Sequence, residues 1–458
     1  MNLALPAIFS KNEEFDIAMK RYWIKLFYMT MILFFLSSPA GYSAGYGYID
    51  ITQPFLRKIP IAVPYFKPIS TDAATDQLSK KASDLIAETL AFTGYFQILD
   101  RKAFLVAPQT DAAFANVNFH NWTSIGAELL VTGGVLVQNN TVEMELRLYD
   151  TFKEKLLVGK RYKGWIDDQR KIIHRFCSEV IYALTGKQGI FNTEIAFVST
   201  GSGAKQLYIC DFDGYNPRRI THTNSITLNP AWSSDGKWIA YTSYARGKPD
   251  LYIQQLREKR GTVISKEGIN ITPAWQPNQY ALAATLSFSG DPEIYLLTGT
   301  GKIIKRLTYN KGIDVSPAWS PDGKKIAFVS KRAGTPQIYI MNLNTGQVDR
   351  LTFQGQYNTQ PSWSPRGNQL AYSGMENGVN NIFLIGIDGK GPIQLTNNEG
   401  DNESPSWSPD GNLIVFSSTR EGPSKIYVMT SFGTDQRKLL DMKGQQSEPA
   451  WSPRMTDN

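Results

Sequence analysis

Side chains that could run a reaction are few in this chain and stand apart from one another. The two cysteines, Cys177 and Cys210, lack the CxxC spacing of a metal or redox site and are too few for a disulfide framework. They read as two buried thiols acting as small hydrophobes, with a bridge open only if their surfaces meet. His120, His174 and His222 form no HExxH or HxH pair, so no metal and no cofactor is expected. One GxSxG match exists, Gly41 to Gly45, but it lacks the strand, turn and helix of a nucleophile elbow. What does recur is a supply of amides and hydroxyls at fixed places in a repeat. Asn229, Thr272, Ser316, Gln360, Ser404 and Glu448 each precede a proline, and two positions earlier stand Thr227, Asn270, Asp314, Asn358, Asn402 and Gln446. Such groups can hydrogen-bond a docking loop, or they can satisfy local backbone in ordinary turns. Both readings stay open for each residue.

The elements that carry these residues follow from the repeat. Six tryptophans, Trp232, Trp275, Trp319, Trp363, Trp407 and Trp451, are spaced 43 and then four times 44 residues apart, each with a proline two positions before it. A second ladder, Tyr208, Tyr252, Tyr295, Tyr339, Phe383 and Tyr427, has a glycine five residues ahead of every aromatic. One unit reads as a short strand from Pro-Ala-Trp, a Ser-Pro-Asp-Gly turn, a second strand such as Lys324 to Ser330, and two more strands joined by glycine turns. Four antiparallel strands per unit, arranged radially, make a propeller blade. The first copy begins midway, near Ile195, and the last stops near Trp451. Joined, the two ends make one blade and bring the count to six, leaving no open edge between first and last. Tryptophans repeated at one register are expected to be inter-blade core rather than ligand contacts, and so are the tyrosines.

Ahead of the repeats, helix and strand patterns alternate. Ile61 to Phe66 reads as a strand, and Asp76 to Phe92 as a helix with Leu78, Ala82, Leu85, Ile86 and Leu90 on one face. Leu129 to Val137 turns at Asn139-Asn140 into an alternating strand with Val142, Met144, Leu146 and Leu148 inward. Asp167 reads as the N-cap of a helix running to Leu184 and stopped by Gly186, with Cys177 inward and His174 on its solvated side. The fold class is therefore an α/β N-terminal domain, a mixed sheet with helices, followed by an all-β six-bladed propeller.

At 458 residues with 42% hydrophobic and 12% aromatic residues, the chain has ordinary globular composition. Its net charge of +7 is scattered among acids, with no basic tract, which argues against nucleic acid. Lys20, Arg21 and Lys25 precede the apolar run Leu26 to Leu36 and a zone of small residues, the pattern of a secretory signal peptide. That run is about half of the roughly 20 residues a membrane span needs. Acids at Glu13, Glu14 and Asp16 do not suit a signal, so translation is expected to start at Met19. The expected organisation is a signal region at 1–44, a flexible segment at 45–60, the α/β domain at 61–190 and the propeller at 191–458.

Signal peptide, α/β domain and six WSPDG/IYxM blades, with NFHNWTSIGAELLVTGGVLV, LRLYDTFKEKLLVGKRY and YALTGKQGIFNTEIAFVST in the N-terminal half, make a chain that resembles the TolB family. That resemblance covers essentially the whole mature chain. It implies a non-catalytic, periplasmic protein of the Tol-Pal system in a Gram-negative bacterium, acting in outer-membrane integrity, cell division and the cell cycle, and protein import. It further implies that the propeller mouth binds the lipoprotein Pal, which would hold this otherwise monomeric protein at the outer membrane. The two polar sets above are the residues expected there. TolA would read the segment Tyr46-Gly47-Tyr48-Ile49-Asp50-Ile51, whose alternating apolar residues suit strand addition and whose Gly-Tyr opening departs from the family's better-known versions. The alternative is a propeller-type hydrolase, a peptidase or a glycosidase. A peptidase of this kind carries its catalytic domain after the propeller, where this chain has seven residues beyond Trp451. A sialidase-like enzyme needs arginines, a tyrosine nucleophile and acids at the mouth, where the two sets hold no arginine and few acids.

Overall fold

A computed structural model describes residues 57–105, 117–397 and 399–455. The signal region and the Tyr46–Ile51 segment lie outside the described residues. No helix among the described residues is long and apolar enough to cross a membrane.

The N-terminal domain is a mixed sheet. Strand β1 (Ile59–Ala62) pairs in parallel with both β3 (Phe96–Ile98) and β4 (Leu129–Gln138), and the short β2 (Lys67–Pro68) pairs in parallel with β4. Antiparallel β5 (Thr141–Asp150) and β6 (Lys155–Trp165) complete the order β3-β1-β4-β5-β6. Strand β1 stops at Ala62 rather than running on to Phe66; Pro64 has no N–H to give to a ladder. The β4–β5 hairpin turns on Asn139 and Asn140, whose φ angles of 45° and 65° suit a type I′ turn. Val142, Met144, Leu146 and Leu148 all face the core.

Two helices close that core. Helix α1 (Ala73–Phe92) starts where the Asp72 carboxylate accepts from the Thr75 N–H at 2.8 Å. A short α2 spans Phe119–Thr123, and α3 spans Gln169–Thr185, ending at left-handed Gly186. Asp167 is not the N-cap of α3. It lies in a 3-10 turn, Ile166–Asp168, which leads into the helix without a side-chain cap.

Six four-stranded antiparallel sheets form the propeller, numbered I to VI from Thr227, with strands a to d from the axis outward. Five are continuous in sequence: I begins with Thr227–Trp232, II with Asn270–Trp275, III with Asp314–Trp319, IV with Tyr357–Trp363 and V with Asn402–Trp407. In blade VI, strand a is Gln446–Trp451 and strands b, c and d are Glu194–Ser199, Gln206–Asp211 and Arg218–Arg219. The six tryptophans are 5 to 8% exposed. The Nε1–H groups of Trp232, Trp319 and Trp407 donate to carbonyls of the preceding blade, at Ala450, Ala274 and Ser362. The indoles thus tie neighbouring blades together as well as filling the space between them.

The α/β domain packs on blades V and VI through one continuous apolar cluster, which runs from β1, β4, β5, α1 and α3 into Phe197, Phe212, Val415, Val428 and Leu439. Phe92 and Phe212 meet edge to face at 5.2 Å, and the Arg437 guanidinium lies 4.5 Å over Phe92. Arg170 pairs with Asp213 across the junction. Cys177 and Cys210 are both buried in this cluster and are not bridged.

His174 does not lie on a solvated face. Its ring packs against Phe212 at 5.1 Å and Phe191 at 6.3 Å, and its Nε2 is buried without a partner among the described residues. The residues that cover it come from the propeller and the interdomain linker, outside the helical stripe. Burial, then the adjacent Arg170, push its pKa down from 6.5 to about 4 against the opposing pull of Asp213. A histidine kept neutral in the fold contributes full stability above its unfolded pKa and loses it as pH falls from about 6.5 to about 4. Allowing for the ring's partial exposure, that loss is about 1–2 kcal/mol. His174→Leu is expected to remove this component, so denaturant melts at pH 7 and pH 4 should differ less in the variant. An equal difference in both proteins would assign the acid sensitivity elsewhere.

Candidate binding channel

The innermost strands converge on a cavity of about 460 Å³ along the propeller axis. Each of these strands breaks its register with the next strand at the residue before its proline: the ladder of blade I skips from Leu228 to Ala231, and the other five do the same. The residue inside each bulge is left-handed. Asn229, Thr272, Ser316, Gln360, Ser404 and Glu448 have φ between 50° and 56°. None is glycine, and for β-branched Thr272 the conformation costs about 1 kcal/mol or more.

The blades themselves hold this backbone in place. The following proline disfavours right-handed helical φ and ψ at each position. Across the junctions, the N–H of Asn229 donates to Glu448 Oε2 at 2.5 Å, that of Thr272 to Thr242 Oγ1 at 3.3 Å, and that of Ser404 to Gln360 Oε1 at 2.9 Å. The side chains of Glu448 and Gln360 therefore satisfy the next blade's bulge, and both residues line the cavity as well. A bulge re-aims the side chain it carries. Here it sets six polar residues in the lining of the axial cavity.

The second polar set is not brought there. Thr227, Asn270, Asp314, Asn358, Asn402 and Gln446 are at most 2% exposed. All but Thr227, whose Oγ1 is buried without a partner among the described residues, use their side chains to bind nearby polar groups. Asn358 Nδ2 donates to Gln337 Oε1 at 2.8 Å and to Gln354 O at 2.7 Å, and Gln446 Nε2 to Gly444 O at 2.8 Å. Asp314 accepts from Arg332 at 2.9 Å, Asn402 from Arg420 at 3.0 Å, and Asn270 donates to Lys266 O at 2.9 Å. Asn270 and Asn358 thus fasten one blade to the one before it, through Pro249 and Asp250 and through Gln337, while Asp314 and Asn402 hold arginines of their own blades and Gln446 holds the loop that enters its strand. The channel also takes in small residues the sequence reading passed over, among them Ala231, Ser362 and Ser406, which follow the prolines at a fixed repeat position.

Electrostatically the channel is nearly blank. Among the described residues that line it, Glu448 alone is titratable. Burial pushes its carboxyl above the usual range, partly offset by the Asn229 N–H and Lys205, while Glu403 nearby pushes it the same way as burial does. No group of three or more His, Cys, Asp or Glu among the described residues could hold a metal ion.

Comparison with known proteins bears on this architecture directly. The TolB beta propeller domain matches residues 181–455, and the TolB amino-terminal domain matches residues 47–157. This chain belongs to the TolB family. It is similar to the "Tol-Pal system protein TolB" of Desulfosudis oleivorans, with 56% identity over 271 residues, covering 59% of this chain and 62% of that protein. It is also similar to a "Protein TolB homolog" of Chlorobium chlorochromatii, with 42% identity over 263 residues, 57% of this chain and 58% of that protein. The matched region thus spans about three fifths of each TolB relative. The crystal structure of TolB from Acinetobacter baumannii aligns with a TM-score of 0.75 at 28% identity, covering 87% of this chain and 97% of that one. An α/β domain followed by a six-bladed propeller is therefore the TolB arrangement, as the sequence patterns indicated.

Proposed function

We infer that this protein is a non-catalytic, periplasmic member of the Tol-Pal system that binds a Pal-type outer-membrane lipoprotein at the propeller channel. One observation carries the reading: six bulges present polar side chains to a single axial cavity. A docking loop entering that cavity would meet hydroxyls and amides on every side and tryptophan edges behind them. Hydrolysis fits the lining poorly. Glycoside cleavage takes two carboxyl groups or a tyrosine nucleophile with convergent arginines. The described lining holds one carboxylate and neither tyrosine nor arginine. The segment Tyr46–Ile51 would supply a separate strand for TolA, by pairing with an exposed sheet edge of that partner.

Titration of the mature protein with the soluble domain of the Pal-type lipoprotein from the same cell tests this. Ser316→Arg is expected to weaken binding at least tenfold with little change in melting temperature, because Ser316 is partly exposed and the new side chain can extend into the cavity. Deleting residues 46–51 should spare that interaction and abolish capture of the TolA domain. Unchanged affinity in Ser316→Arg and in a matching Ser404→Arg would remove the channel from the reading.

A further inference from the structure

The bulge ring has six members of one backbone shape but only one charge. Five are neutral, Asn229, Thr272, Ser316, Gln360 and Ser404, and the sixth is Glu448. Gln360 shows what the position requires structurally. Its Oε1 accepts the N–H of the next blade's bulge residue, Ser404, at 2.9 Å, and the Ser373 hydroxyl at 2.7 Å. Glu448 does the same work with Oε2, accepting the N–H of Asn229 at 2.5 Å and its Nδ2 at 3.2 Å. A neutral amide oxygen is thus enough to tie one blade to the next, and the ring uses one elsewhere. The negative charge of Glu448 is surplus to the seam.

Its second oxygen has no such task. No donor among the described residues reaches Glu448 Oε1, although the side chain borders the cavity. Lys205 and Glu403 are the charged groups that act on this carboxylate, and Glu403 is itself turned to Asn380, whose Nδ2 donates to it at 2.8 Å. A carboxylate in a confined, otherwise uncharged channel gives up more hydration than a surface acid, and regains it best from a cation with hydrogen-bond donors.

We propose that Glu448 selects the channel's occupant by charge: the loop that enters carries a lysine or arginine at its tip, and the ammonium or guanidinium donates to Glu448 Oε1. The inference rests on the reading of the channel as a partner site and adds the chemistry of what is inserted. The polar ring accommodates many loops, and the single carboxylate fixes which side of the tip faces the seam between blades VI and I.

The decisive variant is Glu448→Gln, which keeps an oxygen for the Asn229 N–H as Gln360 does for Ser404 and deletes only the charge. Gln360→Glu, with Glu448 intact, adds a second carboxylate elsewhere on the ring. Full-length wild type and both variants are titrated with the soluble Pal-type domain at 20 and 300 mM salt, and each is used to select from a phage library of cyclic heptapeptides. The expected results are at least tenfold weaker binding of the Pal-type domain to Glu448→Gln at low salt with an unchanged melting temperature, a flatter salt dependence, and about threefold tighter binding to Gln360→Glu. Peptides selected on wild type should hold a lysine or arginine at one fixed position, and those selected on Glu448→Gln should not. Equal affinity and salt dependence for wild type and Glu448→Gln overturn the inference while leaving the channel reading intact. If the Pal-type domain fails to bind wild type, that partner is lost and the peptides decide: no enrichment, or one without a basic position, overturns the inference as well.

Discussion

Ending the chain at Gly444 is expected to destroy the cooperative melting of the protein and lower its midpoint by at least about 5 °C. That truncation removes the axial strand of blade VI, whose partners lie about 250 residues away in sequence: Gln446 opposite Ser199, Ser447 opposite Val198, Ala450 opposite Ala196 and Trp451 opposite Ile195. It also removes the buried bond from Trp451 Nε1 to Thr193 Oγ1 at 2.9 Å, and the clamp formed where Arg454 donates to Gly189 O and the Met455 N–H to Asn192 O. On the other side blade I loses Ala450 O as the acceptor for Trp232 and Glu448 as the cap of Asn229. Removing one buried tryptophan side chain costs about 3–5 kcal/mol, and the strand carries more than that. At about 1 °C per kcal/mol for a chain of this size, a fall of about 5 °C is the lower bound. Calorimetry checks it, and a peptide of residues 444–455 added in trans should restore much of the loss. An undiminished melt would mean that six closed blades are not needed for stability.

Asn358→Arg is expected to cost at least about 3 kcal/mol, because it puts an uncompensated charge where nothing can reach water. Asn358 is 2% exposed, and its amide bridges Gln337 Oε1 and Gln354 O across the junction of blades III and IV. An arginine there must either unpair both or push the blades apart. Urea unfolding measures the loss, and any weakening of partner binding should track the fraction unfolded. Asn358→Ser, which removes the bridge without adding charge, should cost about 1–2 kcal/mol. Wild-type stability in Asn358→Arg would show that the side chain escapes to the surface.

The same residue shows where the sequence stops being readable. Strand spacing, turn glycines and the tryptophan ladder are properties each blade satisfies by itself, so the six-bladed architecture and the two half-units that meet in blade VI are legible residue by residue. The ring that faces the axis was legible as a position before proline. Its left-handed backbone was not, since asparagine, threonine, serine, glutamine and glutamate carry no shared signal for φ near 50°. The following proline favours that conformation over the helical one, and at Asn229, Thr272 and Ser404 a hydrogen bond from the neighbouring blade holds it. Thr227, Asn270, Asp314, Asn358, Asn402 and Gln446 are expected at the mouth from loop position alone, and closure of the ring buries them instead. His174 was misplaced for a related reason: the helical stripe of α3 is informative about its own domain, while Phe212 and Phe191 come from beyond it. Asp167 was misplaced because a 3-10 turn and the first turn of an α-helix look alike in composition.

Blade VI also sets a schedule. Its strand Glu194–Ser199 is made early, and its axial partner Gln446–Trp451 is among the last residues described. At roughly 5–20 residues per second of synthesis, that edge waits on the order of 10–50 s for its complement, long against the microseconds a hairpin takes to form. Throughout the interval it is an unpaired template while the other five blades are made beside it. A nascent chain of this protein therefore carries one adhesive margin from its first blade strand to its last, through every stage of a growing ring, and a holding chaperone would have that margin to protect.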